Sequence, residues 1–349
     1  MTSSFLTTAA AKVLAPREVA VGDRLPYVGH VDDMTLRLRD GLLVQTLHLA
    51  GFPFETAADD ELNYRKAIRE TVLRGAASSR LAIYHHVVRR RVTPAFPPAP
   101  EEPFCQELDR RWQAQLASRQ LYVNDIFLTL VLRPTQGSAG FIERILKGPR
   151  VRDADISRDL RELHATREAF AAALAPYGAR TLGLYSGPGG VQRSEAAEFL
   201  GLLLNGDMRP VLNPTGDLSN AIATRRLSFG LDAMEFGPLS GGDGGFGAVI
   251  SLKDYPARTA PGLLDGVLRL PMELVLTETF AFVDRQASLD RMGLALRRLK
   301  AAEDDAFSLR AELAQARDDV GAGRAAYGEH HLTILAKASC LVDLDFAVA

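Results

Sequence analysis

Three consecutive arginines, Arg89, Arg90 and Arg91, form the densest cluster of positive charge in this sequence. They close the apolar stretch 81–88, whose composition predicts a β-strand. Guanidinium groups form charge-assisted hydrogen bonds with phosphates and carboxylates, so the three residues are candidates for a small anionic docking point. The alternative is a solvated strand end at the rim of a sheet. No aromatic platform interleaves with these arginines, so they do not predict a groove for single-stranded nucleic acid.

Two glycine-rich stretches, 187–190 and 241–247, have the composition of phosphate-binding loops but not the pattern. A P-loop reads G-x-x-x-x-G-K-[ST]; its lysine reaches the β- and γ-phosphates and its hydroxyl binds magnesium. Neither stretch carries that lysine. The stretch 241–247 also separates two predicted strands, whereas a phosphate cradle needs a helix N-terminus behind it. We therefore expect no cofactor in this chain and no ATP hydrolysis by the chain alone.

The histidines and cysteines do not form a recognisable metal or nucleophile site. The histidine pairs at 85–86 and 330–331 each lie on a predicted strand, where adjacent side chains point to opposite faces. Cys105 and Cys340 make neither a disulfide framework nor a zinc knuckle, and they suit a reducing cytoplasm. We predict no catalytic and no metal-binding residue. The competing hypothesis, an enzyme with a dispersed site, requires a pocket with convergent, strongly perturbed titratable groups.

The overall composition is that of a globular protein without a strong charge field. Of its 349 residues, 47% are hydrophobic and 24% are charged, and the net charge is −2. This charge does not attract nucleic acid or anionic lipid to the whole surface. The apolar runs are shorter than the roughly 20 residues that span a bilayer. The first residues lack the basic region and long apolar region of a signal peptide, so we expect a cytoplasmic protein.

Hydrophobic periodicity predicts an α/β (α+β) fold, with mixed or largely antiparallel sheets flanked by helices and one long C-terminal helix. The stretch 126–132 is almost entirely apolar, which is typical of a central strand covered on both faces. Composition shifts predict three parts: a lead-in at 1–24, a first α/β subdomain at 25–186 and a second at 187–349.

The long helix is predicted at 284–320, where apolar residues recur at steps of three and four without an interrupting proline. At 1.5 Å per residue it would be roughly 55 Å long, more than a small core can cover. Its C-terminal half is rich in alanine, with Leu309 and Leu313 as the large residues. These two leucines are therefore candidate interaction residues for a partner. The alternative is a helix packed along its whole length in one core.

Several stretches along the chain resemble the VirB/TrbE/CagE family of type IV secretion system ATPases, specifically the fourth VirB component. The resemblance is carried by their order and coverage, because none of them is a catalytic motif. The stretches are LPYVGHVDD (25–33), ELNYRK (61–66), YHHVVRRR (84–91), YVNDIFLT (122–129), NGDMRP (205–210), SLKDYP (251–256), TETFAFVDRQ (277–286) and GEHHLT (328–333).

The resemblance implies the N-terminal α/β region of such an ATPase, without the RecA-like motor domain that binds ATP and magnesium in the full-length family. It implies a docking and oligomer-building role that seats the motor on the inner-membrane translocation complex for substrate transfer and pilus assembly. The implied partners are other secretion components, the chain's own motor domain or further copies, and the implied location is peripheral to the bacterial inner membrane. The alternative is a nucleic-acid-contacting module of a DNA-translocation motor, which the sparse basic charge disfavours.

Overall fold

The computed structural model describes residues 19–93, 101–134, 149–237, 244–256, 259–260, 262–301 and 307–349. Residues 1–18 of the predicted lead-in lie outside this part. The strands are β1 Tyr27–His30, β2 Leu36–Leu38, β3 Leu43–Leu49, β4 Leu81–Val92, β5 Leu121–Leu132, β6 Arg180–Thr181, β7 Leu184–Ser186, β8 Gln192–Ser194, β9 Leu227–Phe229, β10 Met234–Phe236, β11 Gly245–Ser251, β12 Glu273–Phe282 and β13 Gly328–Ala338. The helices are α1 Val21–Arg24, α2 Asp59–Gly75, α3 Pro103–Ala117, α4 Pro149–Ala173, α5 Glu195–Asn205, α6 Leu218–Ile222, α7 Asp265–Leu268, α8 Arg285–Ala301, α9 Phe307–Gly321 and α10 Leu341–Val348.

One antiparallel sheet organises the described residues. Its strand order is β1-β2-β3-β5-β4-β12-β13-β11-β10-β9, and β6 pairs with β3 beside this path. The predicted fold class is therefore confirmed in its α/β character and its antiparallel sheet. Strands from both predicted subdomains join the sheet, because β4 pairs with β12 along eight residue positions. The boundary at 186–187 stays a prediction.

The sheet is covered on both faces. On one face, Phe127 of β5 stacks against Phe199 of α5 with 4.2 Å between ring centroids. On the other, Leu128 and Leu130 of β5 share a core with Leu163 and Phe170 of α4. We call these the α5 face and the α4 face. Alternation along 126–132 places Phe127, Thr129 and Val131 on the α5 face and the even-numbered residues, all apolar, on the α4 face. The prediction that 126–132 is a central, doubly covered strand is therefore confirmed.

The prediction of a single long helix at 284–320 is wrong, because the described residues of this stretch form two helices, α8 and α9. Arg310 of α9 donates from Nη2 to the backbone oxygen of Leu299 of α8 over 2.7 Å. In one straight helix, residues eleven positions apart would be separated by roughly 16 Å. Further along, the Arg317 side chain lies against Gly293, where a Cβ would be 3.8 Å from the guanidinium carbon. The two helices therefore form an antiparallel hairpin. Residues 302–306, between them, lie outside the described part.

Strand register places two helical elements at opposite ends of the sheet. Leu274 at the start of β12 pairs with Arg89 near the end of β4, and Ala281 pairs with Ala82. The α8–α9 hairpin follows the end of β12, whereas α3 follows the end of β4. Because β4 and β12 are antiparallel neighbours, the hairpin and α3 are connected to opposite ends of this strand pair.

Candidate interaction surfaces

The first two of the three candidate arginines are engaged within the chain. Arg89 donates to the backbone oxygen of Leu270 over 2.7 Å and to the side-chain oxygen of Asn124 over 3.0 Å. Its guanidinium also lies 4.8 Å from the centre of the Tyr122 ring. Arg90 forms an ion pair with Asp125. These contacts fasten β4 to β5 and to the residues before β12, and they occupy much of the donor capacity of both guanidinium groups.

Arg91 is placed differently from its neighbours. Its backbone N–H donates to the Glu273 side chain over 3.0 Å, while its own side chain is exposed and forms no ion pair with a described residue. Alternation along β4 also puts Arg90 on the sheet face opposite to Arg89 and Arg91. The three guanidinium groups therefore do not converge on one spot, and their role in anion docking stays a prediction.

The two candidate leucines of the C-terminal segment lie on α9. Leu309 is 50% exposed, whereas Leu313 is half-buried and lies closer to the stripe that contacts α8. Phe307, at the start of α9, is exposed as well. The hairpin therefore carries apolar side chains in solvent beyond one end of the sheet. The prediction that they contact a partner is not tested by this geometry.

A second apolar stripe, which sequence reasoning missed, lies on α3. Phe104, Leu108 and Trp112 are 78%, 59% and 57% exposed, and no residue of this 15-residue helix is buried. Their spacing of four places all three on one helical face. The sequence carried no signal for its exposure, because one apolar stripe on a helix looks the same whether the sheet or another molecule covers it.

A third apolar surface lies on the terminal helix α10, which sequence reasoning did not predict. Leu344 is buried against Ala248 of β11 and Ala336 of β13. Phe346 and Val342 are 88% and 77% exposed on the other side of the helix. Cys340 caps the start of the helix, and its sulfur accepts the Asp343 backbone N–H. One apolar residue thus packs the helix against the sheet, while Phe346 and Val342 remain exposed.

A serine, a histidine and an aspartate come together near the start of α5 but do not form a hydrolytic site. His30 Nδ1 donates to the backbone oxygen of Asp32 over 3.1 Å, which leaves Nε2 to accept from the Ser194 hydroxyl over 2.8 Å. Ser194 is fully buried and caps α5 by accepting the Ala197 N–H. Because no substrate reaches a fully buried hydroxyl, this arrangement is structural.

The Asp32 carboxylate is hydrogen-bonded to a different histidine, His164. It accepts from His164 Nε2 over 2.9 Å, from the Thr35 hydroxyl and from the backbone N–H groups of Met34 and Thr35. Burial acts to raise the pKa of Asp32, but these hydrogen bonds outweigh it and the pKa is lowered. The network ties the loop after β1 to α4.

The histidine pair of β4 divides between the two sheet faces, as predicted. His85 bonds to Glu278 of β12 over 3.0 Å on the α4 face. His86 is buried on the α5 face, where it bonds to the Thr277 hydroxyl over 3.0 Å. Burial, with a smaller contribution from His85, lowers the pKa of His86 to about 4. His86 therefore remains neutral at physiological pH and acts as a core residue. Among the described residues, no group of histidine, cysteine and acidic side chains has a metal-binding arrangement.

The glycine-rich stretches do not fit the ATP and magnesium that the family resemblance implies. Residues 188–190 form a single turn between β7 and β8, and Gly245 already belongs to β11, where its neighbour Phe246 pairs with Ala338. In their described residues, neither stretch opens an α-helix, so neither provides there the row of free N–H groups that holds phosphate. Residues 241–243 lie outside the described part.

None of the described helices combines the length and the apolar character needed to cross a membrane.

Two protein-family models match the chain. Residues 34–139 match the type IV secretion system ATPase VirB4/TrbE, N-terminal domain. Residues 180–349 match the CagE, TrbE, VirB family, a component of the type IV transporter system. The first match covers β2 to β5, and the second covers β6 to α10.

Curated relatives agree with these matches. The type IV secretion system protein virB4 of Bartonella henselae is 31% identical over 323 residues, which is 91% of this chain and 41% of the relative. Protein virB4 of Agrobacterium fabrum is 31% identical over 321 residues, covering 92% and 40%, and virB4 of Brucella suis is 28% identical over 322 residues, covering 89% and 38%. The chain thus spans about two fifths of the length of these relatives. It belongs to the VirB/TrbE/CagE family of type IV secretion system ATPases and corresponds to the N-terminal region of that family.

Proposed function

We propose that this chain is the docking and oligomer-building region of a type IV secretion ATPase. It seats the motor on the inner-membrane translocation complex and thereby serves substrate transfer and pilus assembly. The observation that carries the proposal is the pair of helical projections, α3 and the α8–α9 hairpin, at opposite ends of one sheet. Each carries large apolar side chains in solvent: Phe104 and Trp112 on α3, and Phe307 and Leu309 on α9.

Projections of this kind suit contacts between proteins. Aromatic residues are enriched in the buried centres of interfaces, and three apolar residues at steps of four on a helix match the helix-in-groove mode of recognition. Different surfaces at opposite ends also permit head-to-tail contacts, from which closed rings are built. Other secretion components, further copies of the chain and the motor region of the family are the proposed partners.

In this proposal the chain itself does not carry out the ATP chemistry of the motor. We place ATP and magnesium binding in the part of the longer relatives that this chain does not match. The proposed location is the cytoplasmic side of the bacterial inner membrane, which the chain reaches through its partners. The α10 surface with Phe346 and Val342 is a further proposed contact for the motor region.

Recovery with inner membranes tests the proposal. A tagged copy of the chain is produced in cells that assemble its secretion system and in cells that lack the inner-membrane components, and membranes are isolated from both. We expect recovery only from the first cells, and its loss in Trp112→Glu or Leu309→Asp. The matched controls Gln106→Glu and Ala314→Asp change exposed residues that lie roughly 120° around α3 from Trp112 and 140° around α9 from Leu309, and they should leave recovery intact. Equal recovery from both cell types would refute the docking role.

A further inference from the structure

An open apolar groove lies between α2 and the α4 face of the sheet, and the proposed function does not use it. Its volume is about 720 Å³, which is within the range of ligand-binding cavities. Leu49, Ile126 and Leu128 of the sheet form its floor, and Phe170 and Leu174 contribute from α4 and the residue that follows it. We call this cavity the α2 groove.

The groove stays open because α2 does not pack closely against the sheet. None of its 17 residues is buried. Arg65 holds the helix in place: it bonds to Glu61 over 2.7 Å, donates to the backbone oxygen of Pro176 over 3.2 Å and lies 3.7 Å above the Phe52 ring. Apolar side chains on both sides of the groove therefore face each other across solvent. An apolar molecule that fills this space would bury their exposed surface, which is favourable in free energy.

Two cations stand at the groove without strong partners. Lys66 and Arg69 both line it. Lys66 lies 3.6 Å from Glu70 in an exposed i,i+4 pair, which is a weak interaction. Arg69 forms no ion pair with any described residue, and its guanidinium lies 5.6 Å from the centre of the Tyr177 ring. Asp59 and Asp265 also line the groove, but Asp59 lies roughly 10 Å along α2 from Lys66, so an anionic group would meet the two cations at their own stretch of the helix.

The shape of the groove favours an extended chain. Its lining runs along α2 from Asp59 to Leu73, which is roughly 21 Å of helix. A peptide would bring backbone N–H and C=O groups that need partners. His85 is bonded to Glu278 and Arg65 to Glu61, so the groove offers only a few polar side chains, fewer than the N–H and C=O groups of an extended peptide roughly 21 Å long. An acyl chain has no such requirement.

We propose that the α2 groove binds a single-chain anionic amphiphile. Its acyl chain lies on the floor formed by Leu49, Ile126 and Leu128, and its carboxylate or phosphate bonds to Lys66 and Arg69. A free fatty acid and a chain of a membrane phospholipid share this chemistry.

Calorimetric titration with dodecanoate below its critical micelle concentration tests the site, with dodecanol as the neutral probe. We expect saturable binding of dodecanoate, at least tenfold weaker binding of dodecanol, and a loss of at least tenfold for dodecanoate in the double variant Lys66→Glu/Arg69→Glu. Asn63→Trp, which fills the groove from α2, should also abolish binding. Arg74→Glu reverses a charge on α2 outside the groove and should bind like the unaltered chain. Melting temperatures of all variants confirm that each is folded.

Co-sedimentation with vesicles identifies the source of the amphiphile. Binding to phosphatidylglycerol vesicles but not phosphatidylcholine vesicles, lost in the double variant, supports the site and assigns it to a bilayer lipid. Binding of monomeric dodecanoate alone supports it and assigns it to a free fatty acid. Three results would overturn the proposal: no saturable binding, equal affinity for dodecanol, or a self-association of the chain that the double variant abolishes. The double variant Lys66→Glu/Arg69→Glu separates this site from the docking role, because it loses bilayer binding through the groove, whereas recovery through α3 and α9 from cells that assemble the secretion system does not depend on these two cations.

Discussion

Arg310 and Leu299 hold the C-terminal helical hairpin together: the guanidinium of one donates to the backbone oxygen of the other over 2.7 Å. The same helical faces bring Arg317 against Gly293 and Leu289 against Gly321. Leu296 lies on the α8 stripe that contains Leu289 and Gly293, because the three follow at steps of four and three.

This hairpin predicts different outcomes for two leucine substitutions. Leu296→Asp puts a carboxylate between the helices and should cost about 2 kcal/mol or more. Leu309→Asp changes a half-exposed residue and should alter stability by no more than about 0.5 kcal/mol. Urea unfolding of the two variants measures the difference. Equal destabilisation would mean that Leu309 is a core residue and would remove it from the interaction surface.

A second prediction concerns the pH dependence of stability. His86 has a pKa of about 4 in the folded chain, below the ordinary value of 6.5, because it is buried. Between these values the unfolded chain binds more protons than the folded chain, so stability contributed by neutral His86 falls as the pH falls from 6.5 towards 4. The full effect is roughly 3 kcal/mol.

Urea unfolding at a series of pH values between 7 and 4 tests this assignment. His86→Gln should flatten the slope over that range by up to one proton. His331→Gln is the control, because this histidine is exposed on β13 and bonds only to the Ser251 hydroxyl among the described residues. An unchanged slope in His86→Gln would show that other groups carry the pH dependence.

Two arginine ion pairs should differ in their effect on stability. Arg80 pairs with Asp159 over 2.6 Å, and the Asp159 side chain is only 4% exposed. Arg80→Met removes a cation from a buried carboxylate and should cost about 3 kcal/mol. Arg90→Met breaks an exposed pair with Asp125 and should cost less than about 1 kcal/mol. Thermal unfolding of both variants measures the contrast, and similar losses would contradict it.

A further prediction is that the chain binds DNA weakly or not at all at physiological salt. Its net charge is −2, and Arg89 and Arg90 are engaged within the chain. Fluorescence anisotropy with labelled duplex and single-stranded DNA across a salt series measures this. Tight binding with a steep salt slope, abolished by alanine at Arg89, Arg90 and Arg91, would favour the nucleic-acid-contacting function instead.

Local sequence patterns correctly predicted elements whose own composition fixes their place in the fold. The apolar run at 126–132 requires cover on both faces, so its central place in the sheet followed from composition alone. The α8–α9 hairpin could not be predicted in this way, because the apolar period of α8 continues into α9 almost without a break. Only tertiary contacts such as that of Arg310 with Leu299 show that the chain reverses. The contacts of Arg89 and Arg90 could not be predicted from the sequence either, because their partners Asn124 and Asp125 lie 35 residues further along the chain.

The exposed α3 stripe could not be found by periodicity, because an apolar stripe predicts burial whether the partner is the same chain or another molecule. Only the structure shows Trp112 in solvent. The same holds for α10, where Leu344 is covered and Phe346 is not.

Site-specific photo-crosslinking tests the docking account most directly. A photoreactive amino acid is placed at Trp112 or Leu309, or at the control positions Gln106 or Ala314, in the chain produced in cells that assemble the secretion system. The account predicts crosslinks to other secretion components or to a second copy from positions 112 and 309, and none from 106 and 314. Crosslinks that are absent from all four positions, or equally frequent at the controls, would contradict the claim that α3 and the α8–α9 hairpin are docking elements.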